Sequence, residues 1–306
     1  MKAIQYNAFG KSDVLELKQV DKPGIKENQV LIKVKAMTVN PLDMKIRSGS
    51  FQKIMPVQFP VIPGADAAGT VESIGSKVTR FKVGDEVLAS SSGGSYAEYA
   101  VANEEQTVIK PASISFNEAA ALTIPLAMAY TALVEVGQVS PGQRVLIHGA
   151  SGAVGSTMVQ MAKALGAYVI GTASGVGVDL GKRLGADEMI DYKTQDFKKL
   201  VKDINLVADL VGGETQIKSF EVLKEGGKLL SIVMPPSTEL AGKFRVTAQF
   251  VESNSNRMKL AYGLKLVEQG KIKAVISKVM KLEQAAQAQD LVSGGGVNGK
   301  VVLEIN

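Results

Sequence analysis

The stretch that most constrains how this chain folds runs from Arg144 to Gly155 and reads RVLIHGASGAVG. Its first half contains an apolar run without polar alternation, which is typical of a strand buried on both faces of a sheet. Its second half consists of small residues, and the Ala/Met/Leu-rich pattern from Ser156 to Leu165 predicts a helix that ends at Gly166. Together these features predict the opening half of a nucleotide-binding βαβ unit.

The small residues of this turn are explained by the approach of a pyrophosphate. A phosphate accepts hydrogen bonds from the amides of a helix N-terminus only where side chains leave room, and the helix dipole favours its negative charge. The spacing Ala150-x-Gly152-x-x-Gly155 matches the dinucleotide fingerprint, with alanine in place of the first glycine. Strand-to-helix turns rich in Gly and Ala also arise from packing alone, so the surrounding pattern decides between the two interpretations.

Short apolar strands alternate with helical segments after the turn. Strands are predicted at 167–172, 188–191, 206–210 and 228–233, and a helix at 178–184. Strands that alternate with helices specify a parallel, doubly wound sheet that binds its ligand outside the carboxyl ends of the strands. The pattern therefore predicts an α/β fold with a Rossmann dinucleotide-binding domain.

The type of dinucleotide is predicted from the end of the second strand, about 20 residues past the glycines, where an Asp or Glu binds the ribose of NAD. Residues 172–175 read TASG, so this segment has no carboxylate to repel a 2′-phosphate, and Ser174 can donate to one. Lys182, Arg183 and Tyr192 follow, where a cation or a phenol would reach the same phosphate. The alternative for the basic pair is a solvated helix face. NADP is favoured over NAD.

Composition argues against several other classes of function. The net charge of +5 comes from 35 basic and 30 acidic residues, no Lys/Arg run exceeds three, and aromatic residues make up 5%, so no nucleic-acid partner is expected. The chain has no cysteine and one histidine, which excludes disulfides, thiolate nucleophiles and cysteine-based zinc sites. The N-terminus has no apolar signal region, and the apolar stretch 119–134 is interrupted by Pro125 and too short for a bilayer. A cytoplasmic enzyme without a membrane partner is expected.

The two ends of the chain differ from its middle. Up to about residue 115, short strands predicted at 30–36, 69–74, 86–89 and 96–102 are separated by prolines and Gly-rich turns, which predicts a mostly β domain. After about residue 265 the sequence predicts a helix at 282–292 and a terminal strand at 300–305. The pattern does not specify which strand this terminal strand pairs with.

A series of motifs along the whole chain carries a resemblance to a known family. In order, the motifs are VNPLD (39–43) with RSG (47–49), FPVIPGADAAG (59–69), VGD (83–85), GSYAEY (94–99), GASGAVG (149–155), LGAD (184–187), IDY (190–192) and GKVV (299–302). With these motifs the chain resembles the medium-chain dehydrogenase/reductase superfamily. Within it, the chain is similar to the zinc-independent quinone oxidoreductase branch, which includes zeta-crystallin and the plant enone and alkenal reductases.

The resemblance implies a division into domains. Residues 1–120 and 265–306 would form a GroES-like substrate domain, residues 121–264 the Rossmann domain, and the substrate cleft would lie between them. Relatives use the region that matches Phe244 to Val251 to join two nucleotide-domain sheets across a homodimer. A homodimer is therefore expected here.

The resemblance also implies the site residues. Positions that family members place around the nicotinamide, its ribose or the pyrophosphate are Asn40, Lys45, Thr123, Ile232, Val251 and Asn298. Positions that contact phosphate are Ser151, Gly152, Ala153, Val154, Ser174 and Tyr192. Val176 departs from the pattern, because close relatives often carry a lysine there for the 2′-phosphate. NADPH remains the expected cofactor if Arg183 or Ser174 binds the 2′-phosphate in place of the missing lysine.

The residues at the metal motifs predict a reductase without zinc. The zinc-dependent branch holds its metal through Cys and His in the first two N-terminal motifs, where this chain has Asn40 and Ala65-Asp66. Asp43, Asp66 and Asp85 would offer a hard-cation site, but such a site is not favoured. His148 ends the first Rossmann strand, where a structural imidazole is favoured over a catalytic base.

Hydride transfer suits a chain with few nucleophiles, since a nicotinamide supplies the reactive hydride. The first reading is an NADPH-dependent quinone reductase. The second is reduction of the C=C bond of α,β-unsaturated carbonyls, with Lys45 or Tyr130 stabilising the enolate oxygen. A surface lysine and a core tyrosine are the favoured alternatives for these two residues. The third reading, from another class, is an NADPH-binding sensor or structural protein with little turnover.

Overall fold

A computed structural model describes residues 1–305 and divides the chain into two compact units. Unit 1 comprises Met1–Ile124, Ser255–Ala261 and the segment from Ala274 onward, and unit 2 comprises Pro125–Asn254 and Tyr262–Lys273. The first boundary lies inside a helix, a few residues after the expected position 120. Near the second expected boundary, at 264, the chain crosses between the units more than once, so that Ser255–Ala261 belongs to unit 1.

The elements are numbered in chain order. The strands are β1 (Lys2–Gln5), β2 (Glu16–Gln19), β3 (Gln29–Thr38), β4 (Asp66–Ile74), β5 (Glu86–Ser90), β6 (Tyr99–Asn103), β7 (Thr107–Ile109), β8 (Arg144–His148), β9 (Tyr168–Ala173), β10 (Glu188–Asp191), β11 (Ile204–Asp209), β12 (Leu223–Ser231), β13 (Thr247–Phe250), β14 (Ile276–Lys281) and β15 (Lys300–Glu304). The α-helices are α1 (Pro41–Arg47), α2 (Phe116–Tyr130), α3 (Ala153–Ala164), α4 (Val176–Arg183), α5 (Phe197–Leu200), α6 (Gly213–Ser219), α7 (Thr238–Phe244), α8 (Arg257–Glu268) and α9 (Ala285–Ser293).

Unit 2 is built on a six-stranded parallel sheet with the order β10-β9-β8-β11-β12-β13. Counted from β8, this is the order 3-2-1-4-5-6 of dinucleotide-binding domains. Its central strands are buried on both faces: Leu146 and its register partners Ile170, Val207 and Leu229 are fully buried on one face, and Val145 and Ile147 are fully buried on the other. The predicted doubly wound α/β sheet is confirmed. The carboxyl ends of the parallel strands share one edge, and successive strands are added in one direction from β8 to β10 and in the opposite direction from β11 to β13, so that the strand order reverses between β8 and β11.

Two elements of unit 2 differ from the sequence prediction in their bounds. Helix α3 begins at Ala153, not Ser156, because its first turn is formed by the small residues of the glycine turn itself. The sequence of residues 244–251 is typical of a strand, but only β13 forms one there, since Phe244 ends α7 and Arg245 takes a left-handed conformation with φ of 52°. The side-chain pattern did not show where this helix ends.

Unit 1 is built on a seven-stranded, mostly antiparallel sheet with the order β14-β15-β3-β4-β5-β7, with β6 also paired to β3. This confirms the mostly β domain. Strand β15 pairs antiparallel with β3 and parallel with β14, which answers the question of where the C-terminal strand pairs. The helix predicted at 282–292 is a 3₁₀ turn, Leu282–Gln284, followed by α9.

One helical segment within residues 1–305, Phe116–Val136, is long and apolar enough to cross a membrane by length and composition. It comprises α2 and a π-helical continuation, Thr131–Val136, so it is longer than the apolar stretch 119–134 that we considered too short. Of its most apolar window, 67% is buried inside the protein.

Candidate functional site

The glycine turn joins β8 to α3 without side-chain caps. Gly149 takes a φ of +70°, and the amide of Ala150 donates to the carbonyl of Thr172 at 2.9 Å, which ties the turn to the end of β9. Gly152 is the N-cap of α3 and gives no side-chain hydrogen bond to the first turn. The amides of this first turn therefore receive no acceptor from the cap residue, and an anion can take that place.

Gly155 explains why the turn tolerates so little bulk. A Cβ atom added at Gly155 would overlap the carbonyl oxygen of Gly149 and lie 2.9 Å from the Cα of Ala150. Helix α3 thus packs its backbone directly onto the backbone of the turn. A bare turn and an uncapped helix N-terminus are the features that a pyrophosphate requires, so these residues fit a dinucleotide.

The unit 2 residues expected to contact a cofactor share one edge of the sheet, because each follows or ends a parallel strand. Ile232 follows β12 and is partly buried, and its amide donates to the carbonyl of Asp209 at 3.2 Å. Val251 follows β13 and is 2% exposed. The residues at this edge are Ser151, Gly152, Ala153 and Val154 after β8, Ser174 after β9, Tyr192 after β10, Ile232 after β12 and Val251 after β13.

Ser174 and Tyr192 are brought together at this edge, as expected for residues that contact one phosphate. The Ser174 hydroxyl donates to the Tyr192 hydroxyl at 3.1 Å. Residues 172–175 have no carboxylate, but the structure brings one to them from another strand: Asp191 Oδ2 accepts from the amide of Gly175 at 3.2 Å. Asp191 belongs to the neighbouring strand, so the sequence of the β9 end alone could not reveal it.

Arg183 lies at the opposite end of α4 from Ser174. Helix α4 begins at Val176, directly after the Ser174 segment, and ends at Arg183. The eight residues of this helix span about 12 Å, so the two side chains lie near opposite ends of the helix. The cation adjacent in sequence to the hydroxyl pair is Lys193, which is exposed and which sequence reasoning did not single out. The solvated-face alternative therefore suits Arg183 better.

Asp209 is a site residue that sequence reasoning missed. It ends β11, is fully buried, and uses both carboxylate oxygens. Oδ1 accepts from the amides of Val211 at 3.1 Å and Gly212 at 2.8 Å, and Oδ2 accepts from Gln216 Nε2 and Ser231 Oγ, each at 2.9 Å. Since a Cβ at Gly149 would lie 3.6 Å from Val211 Cγ2, Asp209 shapes the loop that borders the glycine turn.

His148 is held as a structural, neutral imidazole. Its Nδ1 is 3.0 Å from Thr172 Oγ1, its Nε2 is 3.0 Å from Ser219 Oγ, and the ring packs edge-on against Phe197. Burial lowers the pKa of His148 to about 4, an effect that the charge of Asp209 partly opposes. This geometry agrees with the interpretation of His148 as a structural residue.

The lowered pKa of His148 predicts a pH dependence of stability. The unfolded chain binds a proton to this residue near its ordinary pKa of 6.5, whereas the folded chain does so only near 4. Stability is therefore lost as pH falls from 6.5 to 4, by roughly 3 kcal/mol at 1.36 kcal/mol per pKa unit. Urea unfolding of the wild type and of His148→Gln at pH 4 to 7 measures this difference. Parallel pH profiles for the two proteins would contradict the prediction.

Unit 1 contains a buried polar cluster built by three neighbouring strands. In the register of β15 and β3, Val302 lies opposite Thr38, and continuing it places Lys300 opposite Asn40. Lys300 Nζ donates to Asn40 Oδ1 and lies 3.9 Å from Asp66 Oδ2. Asn40 Nδ2 donates to Asp66 Oδ2 at 3.0 Å and to the carbonyl of Thr38 at 3.3 Å.

Asp43 and Tyr96 complete this polar cluster. Asp43 Oδ2 accepts from the amide of Asn40 at 2.9 Å and from the Tyr96 hydroxyl at 3.0 Å. Burial raises the pKa of Asp43 to about 7 against the hydrogen bond from Asn40, and the charge of Asp66 raises it further. Burial also lowers the pKa of Lys300, which the charges of Asp66 and Asp43 oppose.

The remaining candidate residues make other contacts. Lys45 is exposed on α1, with Nζ 5.2 Å from the ring centroid of Phe51. Thr123 is buried in α2 and donates to the carbonyl of Ala119 at 3.0 Å. Tyr130 belongs to unit 2 and packs edge-on against Tyr262 at 4.9 Å. Asn298 is partly buried, two residues before Lys300.

Residues 1–305 contain no group of three or more His, Cys, Asp or Glu side chains arranged to hold a metal ion. Asp43 and Asp66 share the buried cluster, but Asp85 lies in a turn, where its carboxylate accepts from the amide of Lys82. The three aspartates therefore do not form the hard-cation site considered above.

Two family models match the chain. The model described as alcohol dehydrogenase GroES-like domain matches residues 26–112, and the model described as zinc-binding dehydrogenase matches residues 184–303. The second description names zinc. In this chain, however, the positions of the two metal motifs are occupied by Asn40 and Asp66, which lie beside the Lys300 ammonium.

Relatives match over essentially the whole chain. A quinone-oxidoreductase homolog from Spinacia oleracea is 35% identical over 99% of this chain and 98% of its own length. A 2-methylene-furan-3-one reductase from Solanum lycopersicum is 38% identical over 99% of this chain and 79% of its own length.

Solved structures match equally broadly. The quinone oxidoreductase from Coxiella burnetii has a TM-score of 0.91 at 34% identity, covering 100% of this chain and 99% of that one. An Escherichia coli quinone oxidoreductase in complex with NADPH has a TM-score of 0.91 at 26% identity, covering 100% of both chains.

Proposed function

This chain belongs to the quinone oxidoreductase branch of the medium-chain dehydrogenase/reductase superfamily, and from that premise we propose that it transfers hydride from NADPH to a quinone. The observation that carries the proposal is the turn at Gly149–Gly155, where a Cβ at Gly155 would overlap backbone and Gly152 gives the N-terminus of α3 no side-chain cap. When bound, the nicotinamide supplies the hydride. The chain's own residues bind and orient the cofactor.

Each unit, taken by itself, contains residues that are candidates for holding part of the cofactor. In unit 2, the first turn of α3 would hold the pyrophosphate, and the Ser174 and Tyr192 hydroxyls would hold the 2′-phosphate. In unit 1, Asn40 is the residue that the family resemblance assigns to the nicotinamide. The candidate acids are Lys45, which is exposed beside the Phe51 ring, and Tyr130, which packs against Tyr262; these contacts suit structural roles. Solvent is therefore the expected proton source for a quinone.

Steady-state oxidation of NADPH with a panel of acceptors tests this proposal. We expect purified protein to oxidise NADPH at 340 nm with quinones, and more slowly with enones and simple aldehydes. Oxidation with enones alone would select the C=C reductase, which is favoured by the 38% identity to the Solanum lycopersicum reductase. Tight NADPH binding without turnover on any acceptor would select the sensor or structural role.

We propose NADPH over NADH on the strength of the hydroxyl pair at the carboxyl edge. Two hydroxyls can donate to a 2′-phosphate, and each donor to a charged group contributes about 1.5–3 kcal/mol. Ser174→Ala is therefore expected to weaken NADPH binding about tenfold and NADH binding less than twofold, as measured by nicotinamide fluorescence. Thr194→Ala, an exposed hydroxyl on the turn after β10, is the matched control. Equal losses for both cofactors would contradict the assignment.

We propose that the reaction proceeds without zinc. The side chains at the two metal motifs are Asn40 and Asp66, and the Lys300 ammonium beside them would repel a divalent cation. Activity is expected to survive dialysis against EDTA. Elemental analysis is expected to find less than about 0.1 zinc ion per chain. Activity that falls with EDTA and returns with zinc would contradict this.

The homodimer remains a proposal based on the edge position of β13. Strand β13 ends the six-stranded sheet, so its outer edge is available for pairing with a second copy. Sedimentation at micromolar concentration is expected to give the mass of two chains, and a monomer would contradict it. The cytoplasmic location also stays a prediction.

A further inference from the structure

Lys300 is one of the most buried charged residues of unit 1, and its position follows from strand register. Because Val302 pairs with Thr38 and the amide of Val39 donates to the carbonyl of Val301, the next opposed pair is Asn40 and Lys300. Lys300 is 4% exposed and Asn40 is 6% exposed. The contact between them is therefore built into the sheet and does not depend on a flexible loop.

The charges around Asn40 determine which way its amide points. The oxygen faces the Lys300 ammonium and the nitrogen faces the Asp66 carboxylate, so a flipped amide would oppose both charges. Both N–H donors of the amide are used, by Asp66 and by the carbonyl of Thr38. The group that Asn40 can still offer to a ligand is the second lone pair of Oδ1. Asn40 is thus an acceptor, suited to a hydroxyl or an amide N–H of a ligand.

The ammonium itself has unused hydrogen-bonding capacity. An ammonium has three donors, and in residues 1–305 Lys300 Nζ makes one hydrogen bond, to Asn40, with Asp66 Oδ2 farther away at 3.9 Å. A buried cation is costly unless it is paired. The buried carboxylate of Asp66 offsets part of this cost, and the one hydrogen bond of the ammonium goes to the oxygen of the Asn40 amide.

We propose that Lys300 is a positioning residue, which orients the Asn40 amide so that Oδ1 accepts a hydrogen bond from the nicotinamide half of NADPH. This inference rests on the proposed function for the identity of the ligand. Lys300 acts through Asn40 and does not itself touch the cofactor. Loss of the ammonium would leave the amide held only by the two hydrogen bonds of Nδ2, with no partner fixing Oδ1, and would weaken the oriented contact.

A double-mutant cycle on NADPH binding tests whether Lys300 acts through Asn40. We expect Lys300→Met and Asn40→Ala each to weaken NADPH binding three- to tenfold, measured by nicotinamide fluorescence with folding checked by circular dichroism. In the Asn40→Ala background, Lys300→Met should then have an effect of less than twofold, because the residue through which it acts is gone. Additive losses, or unchanged NADPH binding by Asn40→Ala, would overturn the proposal.

Two further variants separate charge, hydrogen bonding and stability. Lys300→Arg keeps a cation that can donate to Oδ1 and should recover at least half of the lost affinity on a logarithmic scale; no recovery would overturn the proposal. If Lys300→Met does not fold, Lys300→Gln replaces it in the cycle, since it keeps a donor without the charge. Lys110→Met is the control, because Lys110 is also buried in unit 1 but donates to the carbonyls of Pro111 and Ile114. It should bind NADPH within twofold of the wild type.

The cycle and the acceptor panel fail in different ways. A wild type that binds NADPH without oxidising it on any acceptor would reject the quinone reductase while leaving the binding cycle measurable. A wild type with normal turnover but additive binding losses would reject the role of Lys300 alone. Where turnover is present, kcat should fall about tenfold in Lys300→Met while KM for the quinone changes less than threefold. A loss confined to KM would overturn the assignment to the nicotinamide half.

Discussion

Gly155→Ala is expected to weaken NADPH binding at least tenfold and to lower the free energy of unfolding by about 1–3 kcal/mol. The new Cβ would overlap the carbonyl oxygen of Gly149 and approach Ala150 Cα, both of which are backbone atoms that cannot rotate away. Helix α3 must then shift relative to the turn, and its first-turn amides move with it. Misplaced amides lose the hydrogen bonds to the pyrophosphate on which the proposed cofactor site depends.

Gly242→Ala is the matched control for this prediction. Gly242 lies in α7 of the same unit, and a Cβ there would have no atom within 4 Å. The replacement should leave NADPH binding unchanged and stabilise the helix slightly, since alanine favours a helix by up to about 1 kcal/mol over glycine. Calorimetric titration with NADPH and thermal unfolding measure both effects. Normal NADPH affinity in Gly155→Ala would show that the turn is not the phosphate site.

The sequence was sufficient where chemistry is local. The turn from Gly149 to Gly155 was predicted because small residues, a buried strand and a following helix are contiguous in the chain. The parallel sheet followed from the alternation of strands and helices, and Ser174 and Tyr192 from their places after two neighbouring strands.

The sequence was insufficient where chemistry depends on register. Lys300 is 260 residues from Asn40, and only the pairing of β15 with β3 brings its ammonium to that amide. The resemblance named Asn40 as a cofactor contact, but not that its two donors are already used. Asp191 was missed for the same reason, because its carboxylate reaches Gly175 from the neighbouring strand β10. An isolated Asp or Lys in a sequence gives no signal that distinguishes such a residue from a surface charge.

Asp209 is a further residue that the sequence did not reveal, and it is the source of the second large prediction. Its buried carboxylate accepts four hydrogen bonds, from the amides of Val211 and Gly212 and from the side chains of Gln216 and Ser231. Asp209→Ala removes the acceptor for all four at once. Each buried donor left without a partner costs about 1–3 kcal/mol, and water entering the space offsets part of that cost. We expect the free energy of unfolding to fall by about 4 kcal/mol.

Asp209→Ala should also weaken NADPH binding, because the loop after β11 borders the glycine turn at Gly149. Asp196→Ala is the control: Asp196 is an exposed N-cap of α5 whose carboxylate accepts from the amide of Lys198, and its loss should cost about 1 kcal/mol. Urea unfolding at pH 7 measures both variants. Equal losses for the two aspartates would show that the buried carboxylate of Asp209 does not organise this edge of the sheet. A loss of stability in Asp209→Ala with unchanged NADPH affinity would show instead that the loop is independent of the glycine turn.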